Sequence, residues 1–109
     1  MKKLLTLILL CATLAGPVSA QSDWGTFWTK FKAAVVKGDK QAVLQLSASK
    51  QLPARYQSLF GSAAKKRCFA KAKPVKDDRG GYSVFCGEQG YYFIKVGGQF
   101  KFTETFAND

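Results

Sequence analysis

The spacing of apolar residues changes once along this chain, near residue 65, and that change limits the folds open to it. Before it, apolar side chains recur every three or four residues, the period of a helix. After it they alternate, the period of a strand. A chain patterned this way packs helices against a sheet, an α+β arrangement.

The helical part opens at Asp23, a good N-cap. Trp24, Phe27, Trp28, Phe31 and Val35 follow on one face, so a helix is expected over Trp24–Lys37. Gly38 supplies the stop, with Lys37 suited to the negative end of the helix dipole. Asp39 then caps a second helix, Lys40 to about Ser49, with Ala42, Val43 and Leu46 on its apolar face. Pro53 opens a short third helix in the first-turn position that proline tolerates. Its apolar face is Leu52, Tyr56, Leu59 and Phe60, and Gly61 ends it. Ser62-Ala63-Ala64 reads as a linker.

Four strands are expected next. Lys65–Val75 alternates Phe69, Lys71 and Lys73 against Cys68, Ala70 and Ala72, and Pro74 sets its far end at an edge or out of the ladder. Asp77–Gly81 is a turn. Tyr82–Gly87 places Tyr82, Val84 and Cys86 on one face, and Glu88-Gln89-Gly90 is a second turn. Tyr91–Val96 and Gln99–Phe106 flank the two-residue hairpin signal Gly97-Gly98. Phe100, Phe102 and Phe106 share the dry side of the last strand. The only surface large enough to cover the aromatic stripe of the first helix is the apolar face of this meander.

Residues 1–20 stand apart from this pattern. A basic start (Met1-Lys2-Lys3), the apolar run Leu4–Gly16 and small residues at Val18 and Ala20 read as a secretory signal peptide cleaved after Ala20. The apolar run is too short for a membrane span of about 20 residues. Lipid attachment at Cys11 is disfavoured by the large Leu10 before it. The expected division is thus a leader, 1–20, and one domain, 21–109, in the periplasm or secreted.

Without the leader, two cysteines remain. An even pair in an exported domain reads as a disulfide, Cys68–Cys86, closing a loop worth roughly 3 kcal/mol of chain entropy. Fifteen basic residues against seven acidic ones leave a net charge of +8. The sequence has no histidine, which removes the commonest general base and metal ligand and excludes serine–histidine and cysteine–histidine catalysis. No metal or cofactor is expected.

The segment Phe27–Ser47 (FWTKFKAAVVKGDKQAVLQLS) resembles the opening of cystatin-like domains of the nuclear-transport-factor-two or SnoaL-like type. Gly90–Glu104 (GYYFIKVGGQFKFTE) resembles their closing hairpin. The resemblance implies a strongly bent antiparallel sheet wrapping the first helix as a cone. Enzymes of that superfamily set Asp, His, Tyr or Arg side chains inside the cone. Here the acidic residues sit at caps, turns and the chain end, and only Glu104 falls on a strand. Its parity with Phe102 and Phe106 directs it inward, whereas a frayed edge leaves it wet, and the rarity of fully buried glutamate favours the wet position.

Two candidate sites follow. Lys65, Lys66, Arg67, Lys71 and Lys73 form a basic face on the first strand, suited to an anionic envelope component or an acidic protein rather than to nucleic acid. A solvated face that protects an edge strand is the plainer account and is favoured. Arg55, Tyr56 and Glu104 mark the rim of a cone mouth. The expectation is a non-catalytic exported binding domain. A small SnoaL-like hydrolase or isomerase, and a secreted inhibitor or effector acting on another protein, are the alternatives.

Overall fold

The computed structural model describes residues 23–108, so the expected leader lies outside the described residues. Helix α1 (Asp23–Lys37) forms as its aromatic spacing requires, and Phe27, Trp28, Phe31, Ala34 and Val35 are buried along it. Gly38 ends it at φ +77°, a left-handed conformation that glycine adopts without strain. Asp39 accepts a hydrogen bond from the Ala42 N–H and starts helix α2 (Lys40–Gln45). This helix is shorter than the expected Lys40–Ser49. Its continuation, Leu46–Ala48, straightens and runs along the sheet edge, where Ser47 bridges Phe102.

Helix α3 (Leu52–Tyr56) carries Pro53 in its first turn and widens into a π-helical turn over Gln57–Gly61. Leu52, Tyr56, Leu59 and Phe60 are buried, as their spacing indicated.

The next segment corrects the sequence reading. Ala63–Lys71 is not a strand but a fourth helix, α4. Ser62 is its N-cap, its hydroxyl accepting from the Lys65 N–H at 3.1 Å. The stretch from Ala63 to Lys73 has no β-branched residue, and alanine, lysine and arginine are strong helix formers. The apparent alternation arose because alanine fits either face of a period-two pattern. At the helical period, Lys65, Cys68, Phe69 and Ala72 share the inward side, and Phe69 is fully buried. What remains of the expected first strand is β1 (Val75–Lys76), just past Pro74.

Strands β2 (Tyr82–Cys86), β3 (Gln89–Val96) and β4 (Gln99–Ala107) follow close to their expected ranges. The four strands form an open antiparallel sheet in the order β1-β2-β3-β4, not closed into a barrel. The architecture is helices followed by a four-stranded antiparallel sheet. Among the described residues no helix is long and apolar enough to cross a membrane.

The core lies between α1, α3, α4 and the inner face of the sheet. Phe31 makes edge contacts with Phe60 and Phe93, at centroid distances of 5.6 and 5.0 Å. Phe69 packs edge-on to Tyr91. Trp24 is only half-buried and closes one end of this layer by stacking on Tyr82, ring centroids 3.9 Å apart.

A bulge in β4 has the largest effect on the candidate site. Phe93 faces Phe102, but Tyr92 faces Glu104, which leaves Thr103 as an extra residue. The facing of every later side chain is reversed. Thr105 turns to the side of buried Tyr91. Glu104 and Phe106 turn to the outer face, against the expectation that Phe106 belongs to the dry side. Phe106 is 36% exposed there, packs edge-on to Phe85 and lies over Gly90, where a Cβ would collide with its ring.

Candidate functional site

The basic residues do not share one face, because a helix distributes them around its axis. Lys65 leans over the ring of Tyr91, 5.9 Å from its centroid. Lys66 reaches back to the α1–α2 corner, its Nζ beside Gly38. Arg67 and Lys71, one turn apart, are exposed on the outward side of α4, and exposed Lys73 and Lys76 follow. Among the described residues the one ion pair is Lys95–Asp23, at 3.2 Å. The cations of α4 therefore have no carboxylate partner of their own. The expected basic sheet face is corrected to a basic helix that carries four of the five residues, two of them (Lys65 and Lys66) engaged elsewhere, with Lys73 just beyond its end.

Cys68 and Cys86 are joined as expected, with Cα atoms 5.9 Å apart. The bond ties α4 to β2, not one strand to another. A disulfide suits an oxidising compartment.

Of the three rim residues, Arg55 and Glu104 line one groove and Tyr56 does not. Tyr56 turns into the core and is buried, and its hydroxyl has no hydrogen-bond partner among the described residues. Burial, with Asp39 adding to it, raises its pKa. Lys40 sits over its ring at 5.8 Å. Arg55 and Glu104 line opposite walls of an open groove of about 370 Å³. Glu104 is exposed, the wet position favoured from the sequence, but it arrives there through the bulge and not through fraying.

This groove lies between the loop Ala48–Gln51 and the edge of β4. Leu52, Leu59 and Phe102 lie beneath it, almost wholly buried, and the exposed side chains of Lys50, in the loop, and Arg55, on α3, line it. Lys50 escaped the sequence reading because it lies in an unpatterned turn. Its relevance arises from a meeting with a strand some fifty residues later.

A second polar cluster locks the β1–β2 turn. Asp77 accepts from the N–H groups of Arg79 and Gly81 and from the Tyr92 hydroxyl, the last at 2.6 Å. The Tyr92 hydrogen bond, together with the Gly81 N–H, holds the Asp77 carboxyl below its usual pKa, and the same hydrogen bond raises that of Tyr92. Each acceptor and donor in it is spent on the turn. Among the described residues no cluster of three or more His, Cys, Asp or Glu side chains is placed to hold a metal ion.

No protein-family model matches the chain, and neither does any curated protein or solved structure.

Proposed function

We propose that this chain is an exported, non-catalytic binding domain of the cystatin-like, nuclear-transport-factor-two type, and that it engages an anionic envelope component or acidic protein through the outward face of α4. The observation that carries this reading is the set of exposed cations Arg67 and Lys71 on α4 and Lys73 and Lys76 just beyond it, none of them in an ion pair among the described residues. In a chain with this excess of positive charge, such a face attracts any polyanion. Arg67 and Lys71 sit on a helix, which leaves no backbone edge to protect, so the edge-guarding role weighed from the sequence is left to Lys76 on the edge strand β1.

The hydrolase or isomerase alternative has less support. The space that a cone would enclose is filled by Phe27, Trp28 and Phe31 against Phe93 and Phe102. Glu104 is not in an apolar cavity. The basic start and apolar run of residues 1–20, followed by a disulfide-bonded domain, support export.

Co-sedimentation with phosphatidylglycerol vesicles, phosphatidylcholine vesicles and polyglutamate tests the proposal. Binding is expected to the vesicle or the polymer that carries negative charge, weakening steadily with salt. Each Lys or Arg near an anionic surface contributes about 1 kcal/mol, so the double variant Arg67→Glu/Lys71→Glu should bind at least about tenfold more weakly. Equal binding by the variant, or no salt-sensitive binding to either anionic probe, refutes the reading.

A further inference from the structure

We propose that the open edge of β4 beyond Phe102 takes up an extended peptide as an added strand, and that Lys50 and Arg55 select a peptide with an acidic side chain. This surface is distinct from α4, and the inference does not rest on the reading above.

The backbone carries the first half of the argument. In an antiparallel ladder, successive residues turn their N–H and C=O alternately toward one neighbouring strand and the other. Phe102 turns outward: its N–H donates to the Leu46 carbonyl at 3.0 Å, and its carbonyl accepts from the Ala48 N–H at 2.8 Å. Leu46–Ala48 is thus a short parallel strand-like piece already laid on this edge. It leaves the edge at Ser49, where the groove opens.

Past the Thr103 bulge, the next residue to turn outward is Thr105. It faces Tyr91, whose own backbone groups are turned to Val84 on β2. The Thr105 N–H and C=O therefore point into the groove, and among the described residues nothing continues the line of Leu46–Ala48. An exposed pair of this kind is the template for strand addition.

Charge carries the second half. Lys50 and Arg55 are exposed on the far wall, and among the described residues neither is in an ion pair, not even with Glu104 across the groove. Two cations against one carboxylate favour an acidic segment. They also disfavour a second copy of this chain, which carries 17 basic and 7 acidic residues.

Capped octapeptides of alternating Val and Thr, with Glu, Gln or Lys at one central position, serve as probes. The Glu peptide should bind and shift the Thr105 amide resonance. The Gln peptide should bind about 3- to 10-fold more weakly, as the loss of a charge-assisted contact implies, and the Lys peptide more weakly still. Thr105→Pro removes the outward N–H without removing a bond to β3, and it should abolish binding. Arg55→Glu should shift the preference to the Lys peptide, and it decides the matter alone if the proline variant fails to fold.

Arg67→Glu/Lys71→Glu should bind the Glu peptide as the parent does, which separates this site from α4. The proposal is overturned if none of the three peptides binds at millimolar concentration. It is equally overturned by binding that leaves the Thr105 amide unmoved, or by self-association through β4 that the Glu peptide does not displace.

Discussion

Tyr91 joins the two layers through its ring and its hydroxyl. Its ring is fully buried against Phe60 and Phe69, and its hydroxyl donates to the Leu59 carbonyl at 2.6 Å. Burial pushes the phenol up to about 12 from its usual 10.0. The folded state thus holds this proton more tightly than the unfolded chain does. Its contribution to stability is complete below pH 10 and is lost as pH rises through about 12. Tyr91→Phe should cost about 1 to 3 kcal/mol at pH 7, because it leaves the Leu59 carbonyl without its donor. The variant should also lose stability less steeply between pH 10 and 12 than the parent. Urea midpoints measured across that range check both, and parallel pH profiles for the two proteins would show that Tyr91 does not titrate on unfolding.

At the scale of elements, the disulfide connects α4 to β2, whereas Phe69 of the same helix packs on Tyr91 of β3. Reduction should lower the stability of the protein by about 3 kcal/mol, the loop-closure value for cysteines this far apart. Chemical denaturation with and without reductant measures it, and unchanged midpoints despite full reduction would contradict the role given to the bond.

The same two elements show what the sequence could disclose. Helix α1, the Gly38-Asp39 corner and the Gly97-Gly98 hairpin were legible because aromatic spacing and glycine have one structural meaning each. Helix α4 was not, because alanine and lysine fit either period; Ser62 in cap position and the lack of β-branched residues were the overlooked signals. The bulge at Thr103 leaves no mark in composition, yet it decides where Glu104 and Phe106 face. The groove was half legible. Arg55 and Glu104 were marked, Lys50 was missed, and Tyr56 was misplaced because its helix carries it inward.

For the molecule as a whole, positive charge dominates, with 17 basic residues against 7 acidic ones. Such an excess repels itself in the compact state, and salt relieves the repulsion. The Debye length shortens from about 30 Å at 0.01 M to about 8 Å at 0.15 M ionic strength. The melting temperature should therefore rise by a few degrees over that interval, as calorimetry would show. A fall would mean that attractive contacts such as Lys95–Asp23 outweigh the repulsion.

The strand order β1-β2-β3-β4 also bears on how the chain finds its fold. Each strand lies beside its neighbour in sequence, and two-residue turns join the last three. Most of the sheet can form by zipping from those turns, with little loop entropy to overcome. The distant closure is the meeting of Leu46–Ala48 with Phe102, which joins the two halves of the chain. That closure is placed to come late, so a folding chain can hold a formed sheet while the edge beside the groove waits for its cover.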